Sequence, residues 1–164
     1  AVRVGSFDID AAIQAYVRRE HGIAIGERTA EEVKMAIGSA APIDDERQAE
    51  VRGRDLMTGL PKTVVLTPEE VRFAIEDPVS SIIASVVRCL AKAPPELVQD
   101  FLVRGMYLVG GGGLLTGLAA RIERETQVPV KMSDMPLEAV VMGAGHCIEH
   151  YDALKTMFMG SRRP

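Results

Sequence analysis

Four consecutive glycines, Gly110 to Gly113, stand between the apolar run Met106-Tyr107-Leu108-Val109 and the pattern Leu114-Leu115-x-x-Leu118 with Ile122. The first run reads as a short strand and the second as the buried face of a helix over Leu114 to Thr126. Glycines in that place let the backbone take positive φ and approach a bound group with no Cβ in the way. The helix N-terminus that follows offers unpaired N–H donors and partial positive charge, a setting suited to an anion or a nucleotide. The run is not a Walker A loop, because no Gly-Lys-Ser/Thr follows, and it lacks a separate G-x-G-x-x-G with an acidic residue about 20 positions on. On its residues alone it serves equally as a ligand cradle or as a tight strand-to-helix turn.

Other reactive residue types are sparse. His146 and His150 share a helix face at i and i+4, where zinc ligands sit, but no H-E-x-x-H frames them and no metal is expected. His21 stands apart. Cys89 and Cys147 are distant in sequence and form no C-x-x-C, so buried free thiols are expected rather than a disulfide or a zinc site. The eight methionines mostly fall on apolar faces and are expected to fill core.

The elements that must position these residues follow from the rest of the chain. Its 164 residues, 47% hydrophobic and 26% charged, suffice for one globular domain or two small lobes. A net charge of -4 and a pI near 5.4, with no basic stripe, argue against a nucleic-acid partner. No apolar run approaches the ~20 residues of a membrane span, and Ala1-Val2-Arg3 has no signal-peptide architecture. A cytoplasmic location without direct membrane insertion is therefore expected. The opening Val2-Arg3-Val4-Gly5 reads as the end of a strand with no partner nearby, as in a piece of a longer protein.

Asp10 is placed to cap a helix carrying Ile13, Tyr16 and Val17 and ending near His21-Gly22. Thr29-Ala30-Glu31-Glu32 matches a capping box for a second helix through Val33 and Ile37 to a stop at Gly38. Residues 50–54 and 62–67 flank Met57-Thr58-Gly59-Leu60-Pro61 as a hairpin. Thr67-Pro68-Glu69-Glu70 opens another helix, Pro78 breaks or restarts it, and a long apolar helix runs from Val79 to Ala91. A short helix follows Ala93-Pro94-Pro95-Glu96, and Val128-Pro129-Val130 and a last helix from Pro136 follow the glycine turn. Strand, helix, strand, helix in that order predicts a parallel βαβ core.

Five blocks in order carry a resemblance across nearly the whole chain. They are V-x-V-G-x-x-x-x-D-x-A-I-x-x-Y-V-R-R from Val2, I-G-E-x-T-A-E-x-V-K-x-x-I-G-S-A from Ile25, E-V-R-G-R-D-L-x-x-G-L-P from Glu50, P-P-E-L from Pro94 and R-G-M-Y-L-V-G-G-G-G-L-L from Arg104. Together they closely resemble the bacterial actin family of MreB and Mbl. The resemblance implies an α/β fold of the actin-like ATPase (ribonuclease H-like) class, and the chain looks like the second domain of such a protein. Residues 1–6 and 78–150 would form the large subdomain IIA, with a partial βαβ unit. Residues 7–77 would form the small α+β subdomain IIB, and 151–164 a C-terminal helix or tail.

The same resemblance implies a nucleotide site. Gly110, Gly111, Gly112 and Gly113 look like the family's adenosine motif, Glu31 and Lys34 would reach the ribose hydroxyls, Met35 would pack on the adenine, and Gly5 would sit near the sugar. Residues three apart share a helix face, so Glu31 and Lys34 suit a diol as acceptor and donor, while their plainer reading is a solvated ion pair. The stretch Glu138 to Gly145 resembles an interdomain connector whose small residues let helices cross. The chain departs from the family where Gly5-Ser6 and Phe7 replace a Gly-Gly pair and an acidic residue. The D-x-G-x-x-T/S phosphate loop does not occur in these residues, so the chain alone is expected not to hydrolyse ATP, since phosphoryl transfer needs metal, phosphate cradle and positioned water together. The implied whole binds ATP or ADP with Mg²⁺, polymerises head to tail at the inner face of the bacterial membrane, and works with a RodZ-like partner and the cell-wall elongation machinery. The contrasting reading is an interaction module that keeps the fold without nucleotide turnover.

Overall fold

The computed structural model describes residues 2–44 and 46–158. Helix α1 (Ser6–Glu20) starts from Gly5, whose N–H donates to Asp8 Oδ2 at 2.8 Å, and buries Ile9, Ile13 and Val17 along one stripe. The helix thus begins four residues before the expected cap. Asp10 is an interior residue on the buried stripe, because Asp8 already satisfies the N-terminal donor. Residues 2–5 form no strand.

Gly22, at φ +67°, turns the chain into β1 (Ile23–Ala24) and then α2 (Glu27–Ile37), which ends at Gly38 as expected. The Thr29 capping box does not form. The helix reaches back to Gly26, whose carbonyl accepts from the Ala30 N–H, and Glu32 instead meets Arg28 at 3.0 Å, one turn away.

Strands β2 (Ala49–Asp55) and β3 (Pro61–Leu66) form the expected hairpin, antiparallel with Val51 opposite Val64. The Asp55 carboxylate accepts from the N–H groups of Met57 and Thr58 and folds the tip, and Gly59 takes φ +74°. β1 adds to the other edge of β2, giving an antiparallel sheet in the order β1-β2-β3. Helix α3 (Pro68–Ala74) carries the full capping box: the Thr67 hydroxyl accepts from the Glu70 N–H and the Glu70 carboxylate from the Thr67 N–H. The chain breaks at Ile75 rather than at Pro78, which lies in the first turn of α4 (Glu76–Ala91), where its missing N–H costs no intrahelical bond.

After α5 (Pro95–Arg104) come β4 (Met106–Leu108), a 3-10 turn over Gly111–Leu114, α6 (Leu118–Thr126) and β5 (Val130–Met132). β4 and β5 pair in parallel, Met106 opposite Val130, as a βαβ unit requires. Helix α6 starts at Leu118, four residues later than expected, because Gly117 takes a left-handed φ of +76° that α-helix cannot continue through. Helices α7 (Ala139–Glu149) and α8 (Tyr151–Phe158) complete the described chain.

One apolar cluster joins the antiparallel sheet to α6: Ile13, Ile37, Val51 and Leu66 continue through Val79 and Ile83 to Leu118 and Ile122. Arg121 staples this junction, with its guanidinium on both Glu76 carboxylate oxygens, the Ala40 carbonyl, Ser80 and Glu125. The expected buried thiols are not found: Cys89 is exposed and Cys147 half-buried, as only the Val79 and Ile83 side of α4 meets the core and no residue of α7 is buried. Among the described methionines Met106 packs against the cluster, but Met35 and Met57, 70% and 93% exposed, do not, because they lie on a helix surface and at the hairpin tip.

Candidate functional site

The cleft lies where α1 and α2 face the 3-10 turn, and has a volume of about 400 Å³. Helix α2 contributes Glu31, Lys34 and Met35 on one wall, and Gly111 and Gly112 stand on the other. Leu114 and Leu137, both more than half exposed, add apolar surface beside Met35. The size falls in the usual range of small-molecule pockets, and the mixture of an apolar floor with a few polar groups is typical of them.

The four glycines divide by task. Gly110 adopts φ +84° with ψ 164°, a conformation nearly closed to other residues, and its N–H donates to the Pro136 carbonyl at 2.7 Å. Gly113 packs on β4: a Cβ there would lie 2.9 Å from Leu108 Cγ. Gly111 would bring a Cβ to 3.2 Å from Leu137, while a Cβ at Gly112 meets nothing within 4 Å and looks onto open space. Gly111 and Gly112 occupy the first two positions of the 3-10 turn, where N–H groups have no partner inside the turn. Thus Gly111 and Gly112 line the cleft, and Gly110 and Gly113 shape the turn. Gly5 does not line it; it is the cap of α1.

Lys34 is not the solvated partner of Glu31. Its ammonium sits 2.6 Å from Ser6 Oγ, 3.0 Å from Asp10 Oδ2 and 2.8 Å from Asp10 Oδ1, the last a charge contact without hydrogen-bond geometry. The Lys34 and Asp10 side chains are only 10% and 7% exposed, so the pair is a buried one tying α2 to α1. Glu31 is left exposed at the rim. Sequence reasoning missed Asp10 and Ser6. The available signal was a carboxylate at i-3 from Ile13 and i-7 from Val17, on a face that buries apolar groups and demands a counter-charge.

A second recess near Tyr16 and Phe73 is built on Glu70. Burial pushes its carboxyl up, but the Thr67 N–H and hydroxyl and the His21 ring, 3.1 Å away, outweigh this and hold it below the usual range. The recess is structural: the same carboxylate closes the α3 cap.

Solved structures define the class. MreB5 of Spiroplasma citri bound to AMPPNP superposes with a TM-score of 0.88 at 32% identity, over 96% of this chain and 47% of that one. The MamK double helical filament shares the fold alone, with a TM-score of 0.63 at 22% identity. The fold is therefore actin-like. A family model described as MreB/Mbl protein matches residues 1–156, and the chain belongs to the MreB/Mbl family. The cell shape-determining protein MreB of Escherichia coli K12 is 43% identical over 152 residues, 93% of this chain and 44% of that protein. The cell shape-determining protein Mbl of Bacillus subtilis 168 is 34% identical over 154 residues, 94% of this chain and 46% of that protein. The chain thus spans less than half the length of these relatives.

Proposed function

We propose that this chain supplies the nucleoside half of the ATP site of an actin-like, cell shape-determining filament protein. The observation that carries the reading is the cleft, which sets Glu31, Lys34 and Met35 opposite Gly111 and Gly112. Residues from α2 and from the glycine turn, distant in sequence, meet there with an exposed thioether, an exposed carboxylate and an open backbone position at Gly112. These groups fit an adenosine: the planar base against Met35 and Leu137, the ribose diol toward Glu31, and the backbone approached at Gly112. The MreB5 structures with AMPPNP and with ADP support a nucleotide as the ligand.

Lys34 enters this account through Asp10. Two of the three Lys34 ammonium donors are held by Ser6 and Asp10, which fixes the side chain at the cleft and leaves the third for a ribose oxygen. Bound ATP with Mg²⁺ supplies the phosphoryl group to be cleaved. The residues described here bind and orient the nucleoside, and cleavage belongs to phosphate loops elsewhere in the full-length protein.

The division into a subdomain IIA of residues 1–6 and 78–150 and a subdomain IIB of residues 7–77 suits the two separate sheets, β1-β2-β3 falling in the second and β4-β5 in the first. Head-to-tail self-association, a RodZ-like partner and a place at the inner face of the membrane belong to the same reading. Among the described residues no helix is long and apolar enough to cross a membrane. Val103 on α5 and Val140 and Ile148 on α7, each about three-quarters exposed, suit surfaces covered by the remainder of a longer protein. Titration of ADP into the full-length gene product and its Gly112→Val variant tests the reading; equal affinities reject it.

A further inference from the structure

Helix α7 carries two faces of different character. Successive residues turn about 100° around a helix axis, which puts Val140, Val141 and Ile148 on one side and His146, Glu149 and His150 on the other. All six side chains are exposed. The ring nitrogens of His146 and His150 and a carboxylate oxygen of Glu149 offer three ligand atoms within 4.8 Å of one another. Among the described residues, none of the three side chains has a hydrogen-bond or ion-pair partner that would compete for those atoms.

We infer that this face of α7 is a transition-metal site, with His146, Glu149 and His150 as three ligands to an ion of the Zn²⁺ class. Imidazole and carboxylate are the ligand types zinc takes, and three of them leave a fourth tetrahedral position to water. The helix backbone fixes both imidazoles one turn apart, where the His150 N–H donates to the His146 carbonyl at 3.0 Å, so closing the chelate requires only side-chain rotation. The order His146-Cys147-Ile148-Glu149-His150 is H-x-x-E-H, the reverse of the pattern excluded above. Peptidases with that order work in a water-excluding cleft; this face is open, so the assignment is binding and not hydrolysis. It stays reachable when a partner covers Val140, Val141 and Ile148, which point the other way. A metal here clips the last turn of α7 where the chain passes into α8.

The test is calorimetric titration of Zn²⁺ into the full-length gene product without nucleotide, beside His146→Ala, His150→Ala, Cys147→Ser and His21→Ala variants. The expected result is a saturable binding step that each α7 histidine variant weakens by about tenfold or more, while the Cys147 and His21 variants leave it unchanged. Melting without zinc should be the same for His146→Ala and the parent, since both histidines are exposed. No saturable step, or one that survives in both histidine variants, overturns the inference.

Discussion

The ammonium of Lys34 lies 2.8 Å from Asp10 Oδ1, and this pair, almost wholly withdrawn from solvent, is the one ionic contact that ties α2 to α1 beneath the cleft among the described residues. Its members are 24 positions apart and lie on facing helices. Removing one charge of a buried pair leaves the other uncompensated, which costs more than the pair itself contributes. Lys34→Met is expected to destabilise the fold by about 3 kcal/mol, and the double variant Asp10→Leu with Lys34→Met by distinctly less. Urea unfolding of the parent, Asp10→Leu, Lys34→Met and the double variant checks this; a double variant as unstable as the sum of the singles contradicts it.

The glycine turn separates stability from binding within one tetrapeptide. Gly113→Ala drives a Cβ to 2.9 Å from Leu108 Cγ and is expected to cost about 1 to 3 kcal/mol. Gly112→Ala meets open space and is expected to stay within about 0.5 kcal/mol of the parent. Thermal melting of both variants decides, and equal losses would show that the two glycines are not divided as described.

At the start of α3, Thr67→Ala removes the hydroxyl that accepts from the Glu70 N–H, with an expected cost of about 1 kcal/mol. Thr67→Ser should recover most of it. A measured loss near zero would mean that Pro68 and the following turn hold the helix start without the cap.

Glu70 also carries a pH dependence of defined sign. Its carboxyl lies below the ordinary range in the folded chain, with hydrogen bonds from Thr67 and His21 outweighing burial. The folded state thus favours the carboxylate, and the stability this brings is present above the unfolded value, about 4.3. It is lost as pH falls through the lower folded-state value. Glu70→Gln should remove that part of the acid-side slope, measured by denaturant midpoints across the acid range. An unchanged slope would exclude Glu70 as its source.

The fold was legible where local chemistry is explicit. Thr67-Pro68-Glu69-Glu70 wrote its capping box in four residues, and Met57 to Pro61 wrote a hairpin tip, because each depends on atoms a few positions apart. The starts of α1, α2 and α6 were misplaced because alternative caps competed: Asp8 displaced Asp10, Gly26 displaced Thr29, and the left-handed Gly117 cut off Leu114. Of the cleft-lining residues, Glu31, Lys34, Met35, Gly111 and Gly112 were named through family blocks. Asp10 and Ser6 were not, since nothing in a sequence states that positions 6, 10 and 34 meet. The exposed Cys89 marks the same limit, for an apolar residue on a helix says nothing of what packs against it.

The most direct test of the central claim is calorimetric titration of Mg²⁺-ADP into the full-length gene product and its Gly112→Val variant, with melting temperatures recorded for both. The account predicts nucleotide binding by the parent and a loss of at least about tenfold in the variant, with melting of the nucleotide-free proteins unchanged. Equal affinity in two equally stable proteins would contradict it, and would leave the Gly111-Gly112 wall as a turn that touches no ligand.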